Sequence, residues 1–121
     1  IWDDVCVPRS RIPDIIREIS AIAARERIEI FTFGHAGDGN MHPTILVRRN
    51  DEGAMPRALA AFDAIVYAAL DLGGVITGEH GVGQIKAPFL SRAVGAGNLA
   101  VQKRIKHALD PQNILNPTRW L

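Results

Sequence analysis

Gly37-Asp38-Gly39-Asn40 is the segment that most restricts what this chain can become. Those four residues forbid a comfortable helix, while both flanks favour extended backbone. Ile28 to Phe33 is a β-branched and aromatic run, and Pro43 to Val47 contributes Thr44, Ile45 and Val47. The pattern predicts strand, tight turn, strand. A two-residue loop at Asp38-Gly39 is a favoured hairpin connection. It would set Gly37 opposite Asn40, Ala36 opposite Met41 and His35 opposite His42. Directly opposite side chains share a face about 5 Å apart at Cβ, so two imidazoles there can share one divalent ion. A wider glycine turn would shift this register.

The rest of the chain supplies a frame for that hairpin. Asp4 to Val7 reads as a short strand stopped by Pro8. Ile12, Ile15, Ile16, Ile19, Ile22 and Ala23 recur at helical spacing, with Pro13 and Asp14 suited to a first turn, which predicts a helix over 12–26. A second helix is expected over 55–72, with Met55, Leu59, Phe62, Val66, Ala69 and Leu70 as its apolar face and Gly73-Gly74 as its stop. Val75 to Thr77 reads as a strand. Ala87 to Ala93 is weakly helical, Gly95-Ala96-Gly97 is a break, and Asn98 can cap a third helix to Leu109. The tail, 110–121, is rich in turn formers. The first six elements match a split βαββαβ unit. The fold class expected is therefore α+β: a ferredoxin-like antiparallel sheet with helices packed on one face, a C-terminal helix and an irregular tail. The other sheet face needs a cover.

Composition excludes several classes. The 121 residues suffice for one domain with a modest core. A net charge of +1 argues against a general nucleic-acid surface, and Arg48-Arg49 and Arg25-Glu26-Arg27 read as solvated spots. Cys6 is the only cysteine, so no internal disulfide forms; it reads as packing, and a reducing compartment fits. No apolar run reaches the roughly 18 residues of a membrane span, and no signal peptide is visible. The chain opens on Ile1-Trp2 and not on Met, so a processed or excised piece is expected.

Gly78-Glu79-His80-Gly81-Val82-Gly83 is the second chemical cluster. Consecutive residues in extended backbone point to opposite sides; at a strand-to-helix junction Glu79 and His80 can diverge by about a right angle. Glu79 can then complete a metal set with His35 and His42, a sensible donor group for zinc or manganese. His80 is left as a general base. Gly78, Gly81 and Gly83 clear space for a flat cofactor or small substrate. Asn40 either accepts positive φ or reaches a ligand or cofactor with its amide, and Asp38 either holds the turn or binds metal. Lys86 either neutralises a substrate acid or lies on the surface, and His107 suits a helix C-terminus. Incidental glycine-rich loops with packed histidines also satisfy each cluster taken singly. The nucleotide pattern GxGxxG is not matched.

Taken together, Gly34-His35-Ala36-Gly37-Asp38-Gly39-Asn40-Met41-His42, Gly78-Glu79-His80-Gly81-Val82-Gly83 with Lys86, and Leu109-Asp110-Pro111 followed by Ile114-Leu115-Asn116-Pro117 closely resemble the C-terminal part of FAD-linked 2-hydroxy-acid dehydrogenases. These are flavoproteins of the vanillyl-alcohol-oxidase type, including D-lactate and D-2-hydroxyglutarate dehydrogenases and the glycolate oxidase flavin subunit. The resemblance covers essentially the whole chain. It implies that 1–121 is a cap, or substrate, domain whose FAD-binding domain lies upstream. It implies His35, His42 and Glu79 as metal ligands, His80 as base, and Asn40 and Asn116 toward the FAD. His42-Pro43-Thr44 looks more like the glycolate oxidase subunit and weakens the case for hydroxyglutarate. The family's arginine for the substrate carboxylate comes from an upstream segment.

The activity so implied is oxidation of a small D-2-hydroxy acid to a 2-oxo acid, with hydride transfer to FAD, a divalent metal (Zn or Mn) on the substrate, and an inactive fragment when isolated. Implied partners are the acid substrate, the upstream FAD domain and electron-accepting subunits. The implied location is cytoplasmic, with the peripheral inner-membrane association of some relatives. An excised cap domain can also pair as a homodimer through bared apolar surface. Two other readings fit the same residues: a stand-alone ferredoxin-like interaction or regulatory module with structural histidines, and a metal-dependent hydrolase in which His80 activates water.

Overall fold

The computed structural model describes residues 1 and 3–119. Trp2, at the opening of the chain, and Trp120 and Leu121, at the end of the turn-rich tail, lie outside the described residues. The elements are β1 (Val5–Cys6), α1 (Ile12–Glu26), β2 (Glu29–His35), β3 (Asn40–Leu46), α2 (Ala54–Asp71) and α3 (Leu90–Leu109), with single 3-10 turns at Arg9–Arg11 and Ala87–Phe89. They fall into two compact units, Ile1–His80 and Gly81–Leu121. Among the described residues, no helix is long and apolar enough to cross a membrane.

In the first unit an antiparallel sheet runs in the order β1-β3-β2. On the free side of β1, Cys6 and Val75 exchange backbone hydrogen bonds of 3.1 and 2.7 Å. With that bridge as a reduced fourth strand, the sheet is the expected ferredoxin-like split βαββαβ. The strand expected over Val75–Thr77 shrinks to one bridged residue: in that register Thr77 would pair with Asp4, whose amide donates to Asp3 Oδ1 at 2.8 Å. β1 is short for a related reason. Pro43 accepts from the Asp3 amide at 3.3 Å but has no N–H to return, so the ladder thins there.

Helices α1 and α2 pack on one another; α1 also meets β2, and α2 meets β1 and β3. Ile15, Ile19 and Ile22 of α1 are buried, while Ile16 is exposed. A 15-residue helix is marginal in isolation; each fully buried isoleucine contributes roughly 1.5–3 kcal/mol, so packing stabilises it. α2 faces inward with Ala54, Ala58, Ala61, Phe62, Ile65, Val66 and Ala69. The expected face through Met55 and Leu59 is corrected: both are exposed. The alanines permit close helix approach, and a helix apolar on nearly every side offers no unique wheel. α1 ends with Arg27 at φ 53°.

The hairpin differs from expectation in register. Four residues, not two, separate its strands, so His35 pairs with Asn40 and Phe33 with His42. The Asp38 and Gly39 amides both donate to the His35 carbonyl, at 3.2 and 3.0 Å, and Asp38 Oδ1 accepts the Asn40 amide at 3.0 Å. Asp38 thus closes the turn. Asn40 does not take positive φ; Gly39 does, at 82°. A slip of two residues preserves the face, so His35 and His42 remain on one side as diagonal neighbours. Phe31 and Phe33 share that side and are exposed. In the second unit α3 is two helical segments meeting at Gly95, φ 77° and ψ 157°. The break lies where the glycines place it. Asn98 sits inside the second segment and accepts from the Gln102 amide instead of capping.

A Cβ on Gly39 would lie 2.0 Å from the Val7 carbonyl oxygen, whereas one on Gly37 meets nothing within 4 Å. Gly39→Ala should lower stability by at least about 2 kcal/mol, and Gly37→Ala should stay within about 0.5 kcal/mol. Urea unfolding of the two variants checks the contrast.

Candidate metal centre

Three of the sequence-predicted residues meet in the first unit. His35 at the end of β2, His42 in β3 and Glu79 after the Val75 bridge offer ligand atoms that all lie within 4.8 Å of one another. Glu79 Oε1 is 3.2 Å from His42 Nε2 and 3.5 Å from His35 Nε2. The two imidazoles meet edge to face, centroids 5.2 Å apart. His42 is buried, whereas His35 and Glu79 are exposed, so the cluster opens outward from a buried inner histidine. Two imidazole nitrogens with one carboxylate oxygen form a donor set that zinc and manganese accept.

His80 stays with this group. Its ring stacks on His42 with centroids 5.1 Å apart and planes 25° apart, and its Nε2 is 3.7 Å from Glu79 Oε1. Glu79 and His80, consecutive in sequence, thus both reach the same group. No helix begins directly after His80; a loop carries both residues, and their side chains remain adjacent.

The sequence reading missed the residue that shapes that loop. Asp4 is fully buried. Its Oδ2 accepts the backbone N–H groups of Gly78, Glu79 and His80 at 2.7, 2.7 and 3.1 Å. The Thr77 hydroxyl donates to both carboxylate oxygens, at 3.1 and 3.2 Å. Asp4 and Thr77 stand opposite one another in the register that the Cys6–Val75 bridge begins. The three amides that follow Thr77 are gathered by the Asp4 side chain. The only sequence signal was the charged pair Asp3-Asp4 entering the apolar run Val5-Cys6-Val7. Phe33, whose ring lies 5.4 Å from His42, was likewise read only as a strand residue.

Asn40 lies beside this group, opposite His35 in the hairpin register. Asn40 is buried, and its Oδ1 has no hydrogen-bond partner among the described residues. A Cβ on Gly78 would meet the Asn40 amide at 2.3–2.6 Å, so this glycine makes room for that side chain. Cys6 donates to the Asp38 carbonyl at 3.3 Å. Burial pushes its thiol up, and the charges of Asp38 and Asp4 add to the effect, which opposes a nucleophilic role. Lys86 is buried, not surface. His107 lies in the last turn of α3. Asn116 belongs to the second unit, in an exposed loop with φ 49°. That loop is gathered by Asp110, which accepts the Ile114 and Leu115 amides at 2.9 Å each and pairs with Lys106.

The residues 1–119 match the family described as FAD linked oxidases, C-terminal domain. The chain belongs to that family. It is 48% identical to the glycolate oxidase subunit GlcD of Bacillus subtilis, over 97% of this chain and 25% of that protein. It is 40% identical to a probable mitochondrial D-lactate dehydrogenase of Danio rerio, over 98% of this chain and 24% of that protein. A D-lactate dehydrogenase of Archaeoglobus fulgidus is 39% identical over 94% of this chain and 25% of its own length. The chain spans about a quarter of the length of these curated relatives.

The Lys106 hydrogen bond holds the Asp110 carboxyl below its ordinary value of 3.8, helped by the Leu115 and Ile114 amides and opposed by desolvation. A carboxyl lowered on folding stabilises fully above its unfolded pKa and loses that contribution as pH falls through the folded value. Protection of the Ile114 and Leu115 amides against hydrogen exchange should thus hold at pH 5–7, near and above the usual carboxylate range of about 4, and decline below it. Asp110→Asn should reduce it at neutral pH. Mass-spectrometric exchange, corrected for intrinsic rates, reads both effects.

Proposed function

We propose that the protein carrying this chain oxidises a small D-2-hydroxy acid, of the glycolate or D-lactate kind, to the 2-oxo acid. The observation that carries this reading is the convergence of His35, His42 and Glu79, with His80 against them, in a member of the FAD-linked oxidases. The relatives named as a glycolate oxidase subunit and as D-lactate dehydrogenases share a 2-hydroxy acid as the chemical element of their names.

His35, His42 and Glu79 would hold zinc or manganese, which when bound supplies Lewis acidity that lowers the pKa of an alcohol. FAD, held by a domain upstream of 1–121, supplies the two-electron acceptor. His80 takes the hydroxyl proton of the substrate. The hydrogen on the same carbon leaves with its electron pair, and the carbon–oxygen bond becomes a carbonyl. Stacking on His42 limits how the His80 ring can turn, which suits a base that must meet one proton. Asn40 would face the flavin, and its buried Oδ1, without a partner among the described residues, suits a group that awaits a ligand donor. The exposed Phe31 and Phe33, on the same sheet face as His35 and His42, offer the upstream domain an apolar surface to cover. The 121-residue chain in isolation would be inactive.

Two measurements test this. Crystals exposed to Mn²⁺ or Zn²⁺ should show an anomalous peak at His35, His42 and Glu79; an ion bound elsewhere, or none, counts against the site. In the flavin-loaded protein, His80→Ala should slow flavin reduction by the hydroxy acid roughly 10²–10⁴-fold with FAD content unchanged. Reduction at the normal rate would remove His80 from the role of base.

A further inference from the structure

We infer that Asp4 is a positioning residue of the metal centre: its buried carboxylate sets where Glu79 stands relative to His35 and His42. The inference rests on the metal reading proposed above and adds a residue to it. Glu79 needs such an anchor. Its side chain is 52% exposed, and its ion pairs are with the histidines His35, His42 and His80. The side chain springs from the backbone at 78–80, so the place of the carboxylate depends on how that backbone is held. That backbone has no strand ladder. Its three consecutive N–H groups converge on Asp4 Oδ2. A full negative charge is the acceptor best able to gather several amides at once, because charge-assisted hydrogen bonds are roughly twice as strong as neutral ones.

The other end of the tether reaches the histidines. Asp4 immediately precedes β1, which pairs with β3 through Val5–Met41 and Cys6–Asn40. The neighbouring Asp3 amide donates to Pro43, next to His42, and Asp3 Oδ1 accepts the Asp4 amide at 2.8 Å. The strand register that places His42 therefore also places the Asp4 carboxylate, and the carboxylate places Glu79. Two ligands 37 positions apart in sequence, His42 and Glu79, are linked through one side chain contributed by a third segment. Thr77 steadies the link by donating to both carboxylate oxygens. The arrangement is an outer support of the kind that orients metal ligands, where loss costs roughly 10–100-fold in affinity.

The test uses Co²⁺ as the probe, because its visible absorption reports the ligand set directly. The protein that carries this chain is titrated with Co²⁺ in four forms: unsubstituted, Glu79→Ala, Asp4→Asn and Thr77→Val. Thermal melting of each form is recorded in parallel without metal. Asn is isosteric with Asp4 and keeps one acceptor oxygen, so it weakens the gathering of the amides without opening a cavity. The expected result is a Co²⁺ spectrum lost in Glu79→Ala. In Asp4→Asn the affinity should be roughly 10–100-fold weaker with an altered spectrum, in protein that remains folded at the temperature of titration. An Asp4→Asn protein that melts lower but binds Co²⁺ with unchanged affinity and spectrum would show a purely structural role and overturn the inference. If Asp4→Asn does not fold, Thr77→Val decides: several-fold weaker binding supports the tether, and unchanged binding overturns it. No Co²⁺ binding by the unsubstituted protein overturns the metal reading itself, and the positioning role with it. Binding that survives Glu79→Ala does the same.

Discussion

A buried carboxylate is expensive unless hydrogen bonds replace its water, and the first unit is arranged around meeting that demand for Asp4. Three backbone amides and a hydroxyl supply the bonds. In exchange, the backbone at 78–80 is held without belonging to any helix or strand. Past Thr77 no strand resumes through those three amides: an amide that donates to Asp4 is not available to a neighbouring strand. The site and the fold thus meet in one interaction. Shortening the strand frees the loop, and the carboxylate then orders it.

The hairpin solves the complementary problem. Its sheet must bury Met41, Pro43 and Ile45 against the helices while keeping His35 and His42 on the opposite side. Strand alternation does this without further help. The turn adjusts only the stagger along the face, and here the stagger brings Phe33 opposite His42 and leaves His35 diagonal to it. Gly39 accounts for the wider turn. Its positive φ and its contact with Val7 tie the loop to the end of β1, so the hairpin tip is set by a tertiary contact as well as by local turn preference. The second unit repeats the carboxylate device on a smaller scale, with Asp110 gathering two amides of the loop that bears Asn116.

Much of this was legible in the residues. The helix of α1 was bounded correctly because Pro13, Asp14 and the isoleucine spacing agree with one another. The break at Gly95 was legible because glycine spacing interrupts a weak helical run. The placing of His35 and His42 on one face followed from strand alternation, and Glu79 joined them on the chemistry of its side chain. The inward face of α2 was not legible, since alanines at 54, 58, 61 and 69 carry little hydropathy yet decide how closely two helices approach.

Sequence by itself determined which residues could enter the centre and which side of the sheet they would occupy, because both depend on local rules: side-chain chemistry and a period of two. Tertiary structure decided the hairpin register, the early end of the fourth strand and the anchoring of Glu79 through Asp4. Those depend on contacts between segments 32 to 76 residues apart, Gly39 with Val7 and Asp4 with His80. No local preference encodes such contacts; they exist only once the strands have been placed side by side.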